Sequence, residues 1–269
     1  MPLPPLAFLG AGNLAAAIVR GLLAEKAAAP ANIGCTSKTG GTAQRLAEAT
    51  GIRHEPDLPA LLAPADTVIV AFKPQSLASA DPLLAELTAG KLVISILAGK
   101  RLATLAQHFP KTRNLVRTMP NTPAAIGAGI TPFCSLSPLA PKDQAIVETL
   151  LGALGQHLPL DEKHFDALTA VVGSGPAFLF EFVAGLRDAG IAAGLPAAES
   201  SRLALETVLG AARLLARTGE TSEALRDKVA SPNGTTFAGL QVLAARKFRD
   251  TLKETILAAT RRAEELSKD

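Results

Sequence analysis

Gly10-Ala11-Gly12-Asn13-Leu14-Ala15 forms a glycine turn between an apolar run, residues 6–9, and an alanine-rich stretch, residues 13–24. Gly10 permits a tight turn, and Gly12 removes a side chain where a backbone must approach a phosphate. Ala15 supplies a third small position for close packing of helix on strand. The first-turn amides, at Asn13 and Leu14, then point at the phosphates. These residues fit the chemistry of a dinucleotide's pyrophosphate, and they make Gly10, Ala11, Gly12, Asn13 and Leu14 candidate cofactor contacts.

Three further groups add to that chemistry. Where a fold of this kind usually places an acid for the ribose hydroxyls, the chain reads Thr36-Ser37-Lys38-Thr39. Hydroxyls and a lysine suit a 2′-phosphate, so Ser37 and Lys38 favour NADPH, with NADH possible. The competing reading of this segment is an ordinary polar turn. Three strand ends carry distinctive loops: Ala71-Phe72-Lys73-Pro74, Leu97-Ala98-Gly99 and Met119-Pro120-Asn121-Thr122-Pro123. Ala71, Lys73 and Ala98 would border the cofactor, and Asn121 offers both a donor and an acceptor to a carboxamide. Far downstream, Ser231-Pro232-Asn233-Gly234-Thr235-Thr236 is a turn opening into a helix, where free amides and hydroxyls could receive a carboxylate. A capped helix start would use the same residue types.

Strands and helices must hold these groups in place. Short apolar runs at residues 6–9, 32–36, 67–71, 92–96 and 114–118 alternate with helical patterns, including 13–24, 43–50 and 141–154. This alternation predicts an α/β fold with a doubly wound, mostly parallel sheet. Residues 129–134 predict an edge strand, because Pro132 is best tolerated there. Beyond Leu160-Asp161 the patterns are helical: 164–172, 176–193, 197–217, 222–229, 236–246 and 248–267. The expected organisation is a Rossmann-type domain over 1–160 and an all-α domain over 161–269. The helices carry more apolar surface than one small bundle can bury, which predicts dimerisation.

Composition narrows the function. The 269 residues are 48% hydrophobic and carry a net charge of +3, which fits a globular chain with small anionic ligands. The basic residues are scattered and lack interleaved aromatics, so nucleic acid is not an expected partner. There is no tyrosine and no tryptophan, which removes tyrosine as a proton donor. Cys35 and Cys134 fit no metal or disulfide spacing and read as small core residues in a reducing compartment. No metal site is expected, and His54, His108, His157 and His164 share no motif. The segment Met1-Pro2-Leu3-Pro4-Pro5 lacks the basic start of a signal peptide, so the expected location is cytoplasmic. The most apolar stretch, 167–186, is interrupted by Gly173, Gly175, Pro176 and Glu181. It reads as a buried or interfacial helix rather than a membrane span.

Taken in order, these motifs resemble the pyrroline-5-carboxylate reductases. The matching segments are Gly10-Ala11-Gly12-Asn13-Leu14, Ala71-Phe72-Lys73-Pro74, Asn121-Thr122-Pro123, Gly173-Ser174-Gly175-Pro176-Ala177 and residues 225–236. The last is the specific one. The resemblance implies NAD(P)H-dependent reduction of 1-pyrroline-5-carboxylate to L-proline, the last step of proline biosynthesis. It also implies a helical dimerisation domain and often a decamer of dimers. Ser231, Asn233, Gly234, Thr235 and Thr236 become the substrate loop, with Thr236 at the ring nitrogen as the catalytic candidate. Two positions depart from the family pattern. Asn233 stands where glycine is usual, and Leu58 stands where an asparagine often meets the adenosine end. A cyclic iminium accepts hydride directly, so no tyrosine, histidine or metal is required.

Two other readings of these residues remain open. A β-hydroxyacid dehydrogenase would need a catalytic lysine after Gly173-Ser174-Gly175, and the following residues, 176–183, contain none. A dinucleotide-sensing protein would bind cofactor without turnover. Glu181 could act as a buried counter-ion to the iminium, but a solvent-facing position is expected.

Overall fold

Strand β1 (Leu6–Leu9) is apolar and buried at all four positions, as a strand covered on both faces must be. The computed structural model describes residues 3–38 and 41–267. Around β1 lie β2 (Ile33–Thr36), β3 (Arg53–His54), β4 (Thr67–Val70), β5 (Leu92–Ser95), β6 (Asn114–Thr118), β7 (Gly129–Ser135) and β8 (Gly155–Pro159). They form one sheet in the order β3-β2-β1-β4-β5-β6-β7-β8. The pairings through β6 are parallel. Strand β7 runs antiparallel to β6, and β8 runs parallel to β7.

The period-two alternation of these strands builds two cores. Leu6, Phe8, Ile69, Ile94 and Val116 pack on one face with Ile18 and Leu22 of α1 (Asn13–Ala24) and Ile146 and Leu150 of α6 (Pro141–Gly152). On this face α2 (Thr42–Thr50) adds Ala43 and Leu46. Ala7, Leu9, Val68, Val70, Val93 and Leu115 face the other way. There they meet α3 (Leu58–Leu62), α4 (Leu84–Leu87) and α5 (Leu102–His108) through Leu61, Leu84 and Leu105.

The expected edge strand is not at the edge. Strand β7 lies between β6 and β8, so that assignment is corrected. Pro132 is tolerated because its carbonyl accepts the Met119 N–H, just past the end of β6. The N–H that proline lacks would face the same side, where the β6 ladder has already stopped. Strand β8 takes the edge instead.

The strands' amino ends are tied by charge. Arg113 pairs with Asp66 at 2.9 Å and Asp143 at 2.7 Å, and Lys142 also reaches Asp66 at 3.3 Å. A second set of charges joins the sheet to the chain that follows it. Arg117, on β6, pairs with Glu162 at 2.8 Å and lies 4.6 Å from the centre of the Phe165 ring. Arg101 reaches Asp166 and Ser267.

Residues up to Ser174, with Ala259 onward, make one compact unit, and Gly175–Ala258 make a second. Within the first unit, α7 (Phe165–Leu168) continues as a π turn over Thr169–Gly173. The second unit holds α8 (Gly175–Ala192), α9 (Ala197–Thr218), α10 (Ser222–Val229), α11 (Thr235–Ala245) and the start of α12 (Phe248–Leu266). Among the described residues no strand follows β8. The Ser200 hydroxyl, on α9, donates to the Arg187 carbonyl at 2.7 Å and ties α9 to α8. These helices leave large apolar side chains exposed, among them Phe180 at 64% and Val242 at 60%. The helical run Glu162–Ala192 is long and apolar enough to cross a membrane by length and composition, with a mean hydropathy of 1.6.

Candidate active site

Gly10 is held at φ +117°, a backbone geometry that side-chain-bearing residues rarely adopt. A Cβ there would lie 2.5 Å from the carbonyl of Ala71 and 2.6 Å from the Phe72 nitrogen. The turn therefore lets the ends of β1 and β4 come together. Gly12 differs. It takes the N-cap of α1 at φ −76°, and a Cβ on it would meet nothing within 4 Å. That side chain would project into open space. No side chain caps α1, and its first turn holds no acid. The first bond of the helix runs from Ala16 N–H to the Gly12 carbonyl, so the amides of Asn13, Leu14 and Ala15 precede the ladder. An uncapped helix of this kind, with a glycine cradle before it, fits a pyrophosphate.

A cleft of about 710 Å³ opens from this turn. It brings together Gly10, Ala11, Gly12, Ser37, Lys38, Ala71 and Lys73. Ser37 already has one task, because its hydroxyl oxygen accepts the Ala43 N–H of α2 at 3.2 Å; the hydroxyl proton is left to donate. Lys38 donates to the Ser79 carbonyl at 3.0 Å. Thr39 lies outside the described residues. Leu58 lines the same cleft and brings no hydrogen-bonding group to it.

Other candidates lie elsewhere in the first unit. Asn13 and Leu14 sit on the first turn of α1, beside the cleft wall rather than on it. Ala98 follows β5 and Asn121 follows β6, both at carboxyl strand ends and outside the lining of this cleft. The Asn121 side-chain oxygen accepts the Ile130 N–H at 3.1 Å. Its amide nitrogen and the oxygen's second lone pair remain for a ligand. Asp81, Thr42, Ala80 and Leu84 also line the cleft and were not expected from sequence. Asp81 belongs to a loop, and no local pattern tells that this loop folds back to the end of β2.

The substrate-loop candidates lie in the second unit. Asn233 has φ +59°, so it adopts the left-handed geometry for which asparagine is the best substitute for glycine. Gly234 follows as the N-cap of α11, with no side-chain cap and no acid in the first turn. Its N–H donates to the Ser231 carbonyl, and a Cβ at Gly234 would lie 2.5 Å from the Ser231 hydroxyl oxygen. The first bond of α11 runs from Ala238 to Gly234, which leaves the amides of Thr235, Thr236 and Phe237 ahead of the ladder. Helix α10 shows the contrast. Thr221 closes its start by accepting the Ala224 N–H at 3.2 Å. Thr236 is exposed, as is Glu181 on α8.

The cysteines are unsuited to thiolate chemistry. Burial pushes the Cys35 thiol up to about 11 and the Cys134 thiol up to about 12, the latter with help from the Glu162 charge.

A parallel sheet with a glycine cradle at its carboxyl edge, followed by helices, defines a dinucleotide-dependent oxidoreductase fold. Residues 5–99 match the family described as NADP oxidoreductase, coenzyme F420-dependent. Residues 162–266 match pyrroline-5-carboxylate reductase dimerisation. The pyrroline-5-carboxylate reductase of Synechocystis is 40% identical over 266 residues, covering 98% of each chain. That of Arabidopsis thaliana is 38% identical, covering 99% of this chain and 98% of its own. The Coxiella burnetii pyrroline-5-carboxylate reductase structure superposes with a TM-score of 0.92 at 30% identity, over 99% of both chains. A Plasmodium falciparum pyrroline carboxylate reductase with NADP bound gives 0.86 at 26%, again over 99% of both. The chain belongs to the pyrroline-5-carboxylate reductase family. Membership also accounts for the apolar run Glu162–Ala192, which lies wholly within the segment matching the dimerisation domain.

Proposed function

We propose that this chain reduces 1-pyrroline-5-carboxylate to L-proline with NAD(P)H, preferring NADPH, as the last step of proline biosynthesis. The observation that carries this reading is the Ser231–Thr236 loop. In a chain of this family, the loop leads into an uncapped helix and holds Asn233 in the geometry glycine would take. NADPH, when bound, supplies the hydride that neutralises the protonated imine.

The chain's own residues bind and orient. Gly10 and Gly12 shape the turn, and the amides of Asn13 and Leu14 receive the pyrophosphate. The Lys38 ammonium and the Ser37 hydroxyl take the 2′-phosphate. Ala71, Lys73 and Ala98 border the cofactor, and the Asn121 amide nitrogen orients its carboxamide. On the substrate side, the amides of Thr235 and Thr236 with the Ser231 hydroxyl hold the carboxylate. The Thr236 hydroxyl accepts from the ring N–H and holds the nitrogen as it becomes an amine. Catalysis on this account is positioning and exclusion of water. The exposed apolar side chains of the helical unit are covered in a homodimer, and dimers assemble further into a decamer of dimers in the cytoplasm.

The test is cofactor oxidation followed by absorbance with 1-pyrroline-5-carboxylate, NADPH against NADH. Turnover faster with NADPH is expected. Oxidation of neither cofactor refutes the reading, and binding without turnover favours a sensing protein.

A further inference from the structure

Lys38 and Ser79 join the end of β2 to the loop that precedes α4, and Asp81 lies two residues further along that loop. Asp81 is half-buried and lines the same cleft as the glycine turn. Among the described residues it is the only acid on that lining, which otherwise carries two lysines, hydroxyls and apolar groups. The same lining includes Ala80, Leu84, Leu58 and Phe72, none of which has a polar side chain. One carboxylate oxygen accepts the Leu83 N–H at 2.9 Å, which fixes the side chain. A carboxylate has about four acceptor sites, so most of its capacity remains.

We propose that Asp81 reads the base of the dinucleotide by accepting a hydrogen bond from the exocyclic amine of adenine. This rests on the NADPH reading above. A carboxylate repels phosphate, so Asp81 does not serve the 2′-phosphate or the pyrophosphate. A neutral heterocycle with apolar faces and one amine on its edge matches a lining that combines Ala80, Leu84, Leu58 and Phe72 with one fixed carboxylate. The wall offers no second side-chain acid for that amine. The same carboxylate opposes hypoxanthine, whose carbonyl oxygen replaces the amine and turns an attraction into a clash of lone pairs.

The test measures binding without turnover, by the change in nicotinamide fluorescence when the full-length protein is titrated. The probes are NADPH and its deamino analogue, in which hypoxanthine replaces adenine. The wild-type protein is expected to bind NADPH more tightly by on the order of tenfold to a hundredfold, the range for a hydrogen bond to a charged group. In Asp81→Asn the amide can turn its nitrogen toward hypoxanthine, so the ratio is expected to fall to within about threefold. Asp81→Ser keeps a short acceptor for the Leu83 N–H, reaches less far, and is expected to fall likewise. Equal wild-type affinities for the two probes overturn the proposal, as does discrimination that survives both substitutions. If neither NADPH nor NADH binds the wild-type protein, the cofactor reading itself fails and takes this proposal with it. That failure is distinguishable, since the first two outcomes both require tight NADPH binding.

Discussion

Gly10 and Gly12 are two residues apart in one turn, yet the structure assigns them different duties, and alanine at each separates them. At Gly10 an alanine must hold φ near +117° with its Cβ 2.5 Å from the Ala71 carbonyl carbon and oxygen. The backbone strain costs about 1–3 kcal/mol. The overlap is with main chain, which cannot swing away as a side chain would, and relieving it costs about 1–3 kcal/mol more. Gly10→Ala is therefore expected to lose about 2–6 kcal/mol of stability. At roughly 2–4 °C per kcal/mol this is a large drop in Tm. At Gly12 an alanine takes an ordinary φ of −76° and touches nothing within 4 Å. Its stability is expected to stay within about 1 kcal/mol of wild type. Its methyl occupies the phosphate's approach, so NADPH affinity is expected to fall by about 1–3 kcal/mol, or roughly 5- to 150-fold. Urea unfolding, at one fixed protomer concentration because assembly contributes to stability, gives the first quantity. Fluorescence titration with NADPH gives the second. A Gly10→Ala protein as stable as wild type refutes the close-approach reasoning. A Gly12→Ala protein that binds NADPH normally refutes the cradle.

The other expectations concern separate parts of the chain. Thr236→Val keeps the shape of an exposed residue but removes its hydroxyl, and kcat/KM is expected to drop by roughly 5- to 150-fold; unchanged efficiency removes the role assigned to Thr236. Asn233→Ala puts a Cβ without a compensating amide at φ +59°, costs about 1 kcal/mol locally and should raise KM for the imine, while Asn233→Gly should restore it. Lys38→Ala should weaken NADPH by roughly tenfold and leave NADH nearly unchanged, as titrations with both cofactors will show. Arg113→Met strands the Asp143 carboxylate, whose side chain is 8% exposed, and should cost about 2–4 kcal/mol in urea unfolding. The same variant changes the acid limb. Burial pushes the Asp66 carboxyl up, but hydrogen bonds and charge from Arg113 and Lys142 outweigh it and hold the group below its ordinary value. A depressed carboxylate contributes stability above its unfolded pKa, about 4, and loses it as pH falls through the folded value. Stability of the wild type should therefore fall more steeply than that of Arg113→Met on acidification below about pH 4.

Much of this is legible in the residues alone. Residues 13–24 and 114–118 are helix and strand at the boundaries their patterns indicate. The buried β-branched runs of β4 and β5 are nearly as plain. Strand β8 escaped because Gly155-Gln156-His157-Leu158-Pro159 has no β-branched residue, and an exposed edge does not demand one. Pro132 misled for a related reason: what matters is which neighbour its missing donor faces, and that depends on where β6 stops. At Gly10 and Asn233 the residue types are legible because φ +117° and +59° limit what the backbone there allows. Asp81 was not readable, because a loop acid acquires meaning only when tertiary folding carries it to the end of β2. The second task of Ser37, accepting the Ala43 N–H, was hidden in the same way.

The amino ends of the strands are closed by their own charges, Asp66, Arg113 and Asp143, with Lys91 donating to the Ala65 carbonyl. The carboxyl ends open instead on the uncapped start of α1 and on the cleft lined by Ser37, Lys38 and Lys73. Each strand is only four or five residues long across the centre of the sheet, so robustness and recognition are separated by one strand length along the same chain segments. Substitutions that adapt the protein to heat, acid or salt have a place to accumulate at the amino rim, away from the proposed cofactor site, and changes in ligand preference can accumulate at the opposite rim without loosening the sheet.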